Sequence, residues 1–234
     1  MKNDISPPRG TECAAKRRIK FSKLGMSKYI SHLDLLRCFT RAIMRAEIPV
    51  RYSQGFNPHM KLTFSLPLSI GVTSRCERLD IELSEEMDDD KLMERLNLNL
   101  PPDIRILGVG DLVYKAATIV SAEYDVVLYG TDDKDAIKQF FALPEYMIEK
   151  KTKKKGVRQV NLMDFIKRCG IVEAEDGESR LNLILAAGGE ANLKPELAVG
   201  ALSEYLGGRI INYDIERVRI FCMPEKDGPL TEFV

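Results

Sequence analysis

Residues 17–46 predict a strand followed by a helix: RRIKFSKLGMSKYISHLDLLRCFTRAIMRA. Within Arg17–Lys23 the apolar Ile19 and Phe21 alternate with polar residues, which is the period of a strand with one buried face. The polar positions of this strand are expected to face solvent: Arg18, Lys20 and Ser22.

The second half of the stretch predicts a helix over Ser31–Ala46. Ser31 is suited to cap its N-terminus, because Asp34 follows at the spacing of a capping box. An inward stripe is expected at Leu33, Leu36, Thr40, Ile43 and Met44. Arginines at every fourth position are expected on the outer face: Arg37, Arg41 and Arg45.

The order of predicted strands and helices along the chain indicates an α+β protein of two tandem ferredoxin-like (split βαβ) lobes with antiparallel sheets. Residues 1–16 are polar and are expected to be disordered, 17–115 form a basic first lobe with both histidine motifs, and 120–234 form a second lobe. Further strands in the first lobe are predicted at Pro49–Gln54, Lys61–Leu66, Glu77–Leu83 and Ile104–Val109, with a helix at Asp88–Leu98. In the second lobe we predict strands at Glu123–Tyr129, Tyr146–Lys151, Val157–Val160, Leu181–Ala187, Arg209–Tyr213 and Glu216–Cys222. Helices are predicted at Asp132–Ala142 and Glu196–Leu206, and Leu162–Cys169 is expected to be a short helix or an irregular segment.

The charges of this 234-residue chain are segregated although its formal net charge is zero. Arg9–Arg75 holds 13 basic and 3 acidic residues, whereas Cys76–Glu149 holds 7 basic and 18 acidic residues. A cationic patch that faces a polyanion is therefore possible despite the neutral total. The competing interpretation is that the blocks mix in three dimensions and cancel.

The five cysteines, at 13, 38, 76, 169 and 222, form no CxxC pair, and the chain has only two histidines. This excludes clustered-cysteine zinc and iron–sulfur sites, so no metal and no cofactor is expected. The longest uncharged stretch, Leu62–Ser74, is too short for a membrane helix, and no signal peptide is visible. We therefore expect a cytoplasmic protein without a membrane partner.

Two segments of the first lobe carry both histidines, and we expect them to converge on one cationic pocket. The first is Tyr29–Asp34, where His32 would sit at the N-terminus of a helix, a place that favours anions. The second is Tyr52–Lys61, with a turn at Gly55–Pro58. The candidate ligand-binding residues are His32, Asp34, Arg37, Arg41, Tyr52, Gln54, Gly55, Asn57, His59 and Lys61.

Lys20 is expected to lie beside Lys61 on neighbouring strands, so that the sheet adds phosphate contacts to this pocket. A phosphate-bearing ligand, RNA above all, fits such a surface. The same residues also permit catalysis, with His32 or His59 as general acid or base and Lys61 on a phosphate oxygen. No group that would orient either histidine can be identified from spacing, since Asp34 is two residues from His32.

The motifs resemble the radical-SAM-associated (radical-SAM-linked) protein family, a domain of unknown function. The resemblance rests on residues 18–23, 29–36, 48–59 and 64–71, and the run Ser-Gln-Gly-Phe-Asn-Pro-His at 53–59 is its most specific part. It implies an accessory role beside a radical SAM enzyme, since that family occurs fused to or encoded next to one. The chain lacks the CxxxCxxC motif that would hold the radical SAM cluster.

Three functions stay open at this point. The first is a non-catalytic partner of a radical SAM enzyme that binds RNA or another phosphate-bearing substrate. The second is an RNA-processing enzyme that uses His59 or His32 as general acid or base. The third is a protein–protein adaptor whose acidic block after Cys76 contacts a basic partner.

Overall fold

The computed structural model describes residues 13–152, 156–226 and 228–234, and the chain divides into two compact units. The first unit runs to Val113 and includes Val234, and the second covers Tyr114–Phe233. Most of the segment predicted to be disordered, residues 1–12, lies outside the described residues. Its last residues do not fit that prediction, because Ala15 and Lys16 begin the first strand.

The first unit is an antiparallel sheet with two helices. Its strands are β1 (Ala15–Lys23), β2 (Leu62–Phe64), β3 (Thr73–Leu83) and β4 (Ile104–Gly110), and its helices are α1 (His32–Arg45) and α2 (Asp89–Asn99). A 3₁₀ turn at Gly25–Tyr29 leads into α1. The strand order is β4-β1-β3-β2, and every neighbouring pair is antiparallel.

One face of this sheet packs against the helices. Ile19 and Phe21 of β1 are fully buried there, as predicted. The inward stripe of α1 differs from the prediction, because Leu33 is 61% exposed and Met44 is 58% exposed. The buried positions of the helix are Leu35, Phe39, Ala42 and Ile43.

The other face of β1 is not the solvent face that alternation predicted. Arg18 and Ser22 are buried, and Lys20 is half-buried. The Arg18 guanidinium donates two hydrogen bonds to the Asp80 carboxylate, at 2.7 and 2.8 Å. A buried arginine is tolerated here because a paired carboxylate compensates for its lost hydration.

The chain between α1 and β3 is less regular than predicted. Pro49–Gln54 contributes only two isolated bridges, Val50 to Leu83 and Tyr52 to Met60, and the strand expected at Lys61–Leu66 is reduced to the three residues of β2. This segment therefore adds little to the sheet and forms loops at its edge.

The second unit repeats the pattern of the first. Its strands are β5 (Ile119–Tyr129), β6 (Met147–Thr152), β7 (Gly156–Asn161), β8 (Ile166–Glu175), β9 (Glu178–Ala186), β10 (Asn212–Cys222) and β11 (Thr231–Glu232), and its helices are α3 (Lys134–Phe141) and α4 (Pro195–Tyr205). The strand order is β10-β5-β9-β8, again antiparallel, with β11 on β10 and β6-β7 as a separate hairpin.

The second unit differs from the prediction in more than one element, since the strands expected at Arg209–Tyr213 and Glu216–Cys222 are the single strand β10. The segment Leu162–Cys169, expected to be a short helix or irregular, is a single 3₁₀ turn, Leu162–Phe165, followed by β8. Because β8 pairs along β9 from Ile166 to Glu175, tertiary pairing outweighs the local preference of a segment without strong alternation. The α+β class with antiparallel sheets is nevertheless confirmed.

The position of Phe39 generates a stability prediction. Phe39→Ala empties a fully buried site and is expected to lower the free energy of unfolding by about 3–5 kcal/mol. Leu33→Ala on the same helix is the matched control, and it should change that free energy by less than about 0.5 kcal/mol. Urea denaturation measures both, and an equal loss in the two variants would contradict the observed rotation of α1.

Candidate functional site

A capping box holds the N-terminus of α1. The Ser31 hydroxyl oxygen accepts from the Asp34 backbone N–H at 3.2 Å and donates to the Asp34 carboxylate at 2.7 Å. Arg37 donates to the same carboxylate at 2.9 Å. The Ser31 hydrogen bond, followed by Arg37, lowers the pKa of Asp34. Asp34 therefore serves the helix cap, in agreement with the predicted motif.

An open groove of about 690 Å³ runs along the outer side of α1. Arg37, Arg41 and Arg45 are exposed along it, as their four-residue spacing predicted. The opposite wall is the C-terminal end of α2 and the residues that follow it, Leu98–Pro101. The groove is thus a cationic surface built from two helices of one unit.

The three guanidinium groups differ in what they contact. Arg45 donates to the Asn99 carbonyl at the end of α2, where helix carbonyls favour a cation. Arg37 forms an ion pair with Asp34. For Arg41, the described parts of the chain provide neither a hydrogen bond nor an ion pair. Arg41 and the outward nitrogens of Arg37 are therefore the donors that an incoming anion would meet.

The cysteines do not add reactive thiolates to this surface. All five are free, and Cys38 lines the groove. Burial raises the pKa of the Cys38 thiol and raises that of Cys169 to about 12, so both stay protonated at neutral pH. Within the described residues, no three His, Cys, Asp or Glu side chains gather as metal ligands. Among the helices described, none has the length and apolar character needed to cross a membrane.

His32 is the first residue of α1 and is exposed. Its ring meets the Phe64 ring edge-on, with 5.2 Å between the ring centroids. The small cavity that His32 lines also has Lys23 and Glu77 in its wall, and its volume of roughly 10 Å³ admits about one water molecule. The Lys23 ammonium is buried and donates to the Lys28 carbonyl at 3.3 Å. This cavity is too small for a nucleotide.

His59 closes the base of a loop. The Ser53 N–H donates to the His59 carbonyl at 2.8 Å, and the His59 N–H donates to the Ser53 hydroxyl at 3.0 Å. That hydroxyl also lies 2.9 Å from the Nδ1 atom of the His59 ring. Gly55, with φ of 124°, allows the chain to reverse between these two residues. Gln54–Asn57 is exposed at the tip.

The predicted convergence of the two histidines was wrong. His59 lines a different cavity, of about 370 Å³, together with Lys16, Lys61 and Thr63. No hydrogen bond or ring contact joins His32 to His59 in the part of the chain that the structure describes. The two histidines therefore line separate cavities of the first unit.

The expected pairing of Lys20 with Lys61 was also wrong. Lys20 lies opposite Arg78 of β3 and Gly108 of β4. Lys61 precedes β2, which pairs with the far side of β3. The long strand β3 thus separates the two lysines, because it, and not the segment at 61–66, is the central neighbour of β1.

The candidate residues accordingly fall into two groups. His32, Asp34, Arg37 and Arg41 belong to α1. Gln54, Gly55, Asn57, His59 and Lys61 belong to the loop, and Tyr52 packs at its base against the core of the unit. Phe56, at the loop tip, is fully exposed and was not among the predicted residues. In the sequence Phe56 is a single apolar residue between Gly55 and Asn57, within the 53–59 run but without a periodic pattern that would indicate its exposure.

Comparison with known proteins identifies the family. The chain belongs to the bacterial family described as "Uncharacterized protein conserved in bacteria (DUF2344)", which matches residues 16–195. No curated protein matched the chain. A solved structure titled "Crystal Structure of a Cbf5-Nop10-Gar1 Complex" is similar with a TM-score of 0.46 and 10% sequence identity, over 87% of this chain and 48% of that one. The chain thus spans about half the length of the protein it matches there.

The capping box of α1 can be tested by substitution. Ser31→Ala removes the hydroxyl and should lower the free energy of unfolding at pH 7 by about 1 kcal/mol. It should also raise the pKa of Asp34 in an NMR titration, because the hydrogen bond that lowers it is lost. Folding lowers the pKa of Asp34, so the ionised carboxylate stabilises the folded protein at pH values above the ordinary carboxyl pKa. This contribution to the free energy of unfolding is lost as the pH falls through the lowered pKa.

Ser31→Asn is the control for this substitution, because asparagine is an equally good N-cap. It should keep most of the stability that Ser31→Ala loses. Equal destabilisation by both variants would show that the helix does not depend on its cap.

Proposed function

We propose that the protein is a non-catalytic accessory of a radical SAM enzyme and that the outer face of α1 binds a phosphate-bearing ligand, RNA above all. The observation that carries the proposal is the cationic groove, in which Arg37 and Arg41 present guanidinium donors to solvent. Guanidinium groups suit this task because their planar fork matches two phosphate oxygens and always stays charged.

The groove is large enough to bind an extended anion. Its volume of about 690 Å³ is open to solvent and its cations follow the helix axis, so successive phosphates can be contacted in line. Arginines four residues apart on a helix are about 6 Å apart along its axis. This spacing is similar to the distance between neighbouring phosphates of an extended single strand, so one strand can meet both guanidinium groups.

The radical SAM partnership is supported by the resemblance of the 53–59 motif and by the cysteine spacing. The cluster of a radical SAM enzyme needs three closely spaced thiolates, and the five cysteines of this chain are dispersed. The partner would therefore supply the cluster and the chemistry, and this chain would supply binding. Co-expression with the radical SAM protein encoded nearest in the same genome should give one stable complex in size-exclusion chromatography. Separate elution of the two proteins would contradict the partnership.

We also propose that both units are ferredoxin-like lobes. Each unit has a strand order in which the first strand lies between the last and the third principal strand: β4-β1-β3-β2 and β10-β5-β9-β8. Each places one helix after its first strand and one before its last sheet strand. In the second unit the hairpin β6-β7 is inserted between α3 and β8. These features support the split βαβ arrangement.

The other two functions receive less support. Joint acid–base catalysis by both histidines would need both rings at one substrate, and His32 and His59 line separate cavities, so at most one of them could serve a given substrate. The acidic block is partly used by the fold, because Asp88 caps α2 and Asp89 pairs with Arg17 at 2.8 Å. We therefore favour the cationic groove over the acidic block as the ligand surface.

The binding function is tested with a charge reversal of the groove. The double variant Arg37→Glu/Arg41→Glu should bind a fluorescent 20-nucleotide single-stranded RNA at least about tenfold more weakly at 0.1 M KCl, because two charge-assisted contacts become repulsive. In a KCl series, the slope of log K against log [salt] should become smaller by about 1.4 in magnitude. Fluorescence anisotropy measures both quantities.

Lys134→Glu/Lys138→Glu on α3 is the matched control, with the same change in net charge on an exposed helix of the second unit. It should retain nearly the affinity of the unsubstituted protein. Equal losses in the two double variants would show that net charge alone governs binding. Absence of binding by the unsubstituted protein at 0.05 M KCl would contradict the proposed ligand.

A further inference from the structure

The side chain of Phe56 lies at the tip of the loop that the Ser53–His59 hydrogen bonds close, and it is exposed to solvent. Its relative exposure is 110%, the largest among the exposed hydrophobic side chains of the described chain. A phenyl ring is normally among the more buried side chains, because its transfer from water contributes roughly 1.5–3 kcal/mol. An aromatic ring held so far from the core suggests that a ligand covers it.

The loop presents the ring from a fixed base. Ser53 and His59 exchange two backbone-linked hydrogen bonds, and below them Tyr52 and Met60 form a bridge. Met60 is buried, and Tyr52 packs against the core. The conformation of the loop base is therefore set before any ligand arrives, which reduces the entropy lost on binding.

The side chains around Phe56 suit a nucleic acid. The loop offers the amides of Gln54 and Asn57 as hydrogen-bonding groups, and Lys61 follows it as an exposed cation. No acidic residue occurs between Glu47 and Glu77, so nothing in this segment repels a phosphate.

The adjacent cavity contains two acids, and cations neutralise both. Asp80 pairs with Arg18 at 2.7 Å. Glu82 pairs with Lys16 at 3.2 Å and with Arg51 at 2.8 Å. The cavity that His59 and Lys61 line is therefore not an anionic surface, and its volume of about 370 Å³ leaves room for a nucleotide beside the loop.

We propose that the Phe56 loop is a stacking site for an unpaired nucleobase, so that the ligand of this protein is single-stranded RNA rather than a duplex. The inference rests on the proposed function and names its substrate class. A base stacks on an aromatic ring through its face, which only an unpaired base exposes, and Gln54, Asn57 and Lys61 would contact its edge and phosphate. A protein partner is the weaker choice, because binding hot spots lie within larger apolar patches and the neighbours of Phe56 in the loop are Gly55 and polar Asn57.

The chain contains no tryptophan, so Phe56→Trp places a single reporter at the site. We expect the emission of this variant to be quenched when a ten-nucleotide oligoadenylate binds, and to change little with an RNA duplex of the same length. Val172→Trp is the control, an exposed apolar position in the second unit, and its emission should not respond to either RNA.

Affinity gives an independent readout. Phe56→Ala should weaken single-strand binding roughly 5- to 150-fold, the range expected for loss of one stacked base, and should leave weaker duplex binding unchanged. Because the Phe56 side chain is fully exposed, this variant should melt within about 2 °C of the unsubstituted protein.

The outcomes separate this inference from the proposed function. RNA binding that depends on Arg37 and Arg41, with unchanged emission of Phe56→Trp and unchanged affinity of Phe56→Ala, would overturn stacking and leave the groove in place. Quenching by oligoadenylate that is insensitive to the arginine reversal would support stacking and overturn the groove. An emission change with the radical SAM protein but not with RNA would overturn stacking in favour of a protein contact.

Discussion

The edge-to-face packing of Phe39 between Phe21 and Phe64 determines what the first unit can present to a ligand. The ring centroids of Phe39 lie 4.9 Å from Phe21 and 5.7 Å from Phe64, and Phe21 and Phe39 are fully buried. Aromatic pairs in this geometry stabilise beyond the area they bury. Since consecutive helix residues are about 100° apart, the buried Phe39 fixes the rotation of α1 and so keeps Arg37 and Arg41 on the outside. The same cluster also positions His32 against Phe64.

The positive charge on the surface of the first unit is more localised than the basic block Arg9–Arg75 of the sequence suggests. Arg17, Arg18 and Arg51 are all paired with carboxylates of the acidic block that follows. These pairs link β1 and the loop segment to β3 and α2, and they remove much of the formal positive charge from the surface. The cations that our proposal assigns to a ligand are the outer row of α1 and Lys61 beside the Phe56 loop. Charge segregation along the chain is thus used partly for folding and partly, in our proposal, for binding.

Local features of the site were predictable from the sequence. The Ser31 cap, the extent of α1 and the outward arginines follow from short-range rules that the structure obeys. The inward stripe was misplaced because apolar residues occur on two adjoining faces of α1, and Leu33 and Leu35 compete for the core. The packing of Phe39 against Phe21 determines that Leu35, and not Leu33, faces the core.

Long-range features were not predictable. The relation of Lys20 to Lys61 and of His32 to His59 depends on which strand lies beside β1, and strand order is a property of the whole unit. The exposure of Phe56 depends on the Ser53–His59 closure, which joins residues six apart without a periodic pattern. Sequence patterns located α1 and the loop that carry the candidate residues, whereas the arrangement of these segments required the fold.

In our proposal the outer face of α1 is the ligand surface of the protein. The most direct measurement is a map of backbone amide NMR shifts of the unsubstituted protein during titration with single-stranded RNA. We expect the largest shifts on Arg37–Arg45 and on the Gln54–Asn57 loop, and we expect them to decrease as KCl is raised. Shifts confined to the second unit, or unaffected by salt, would contradict it.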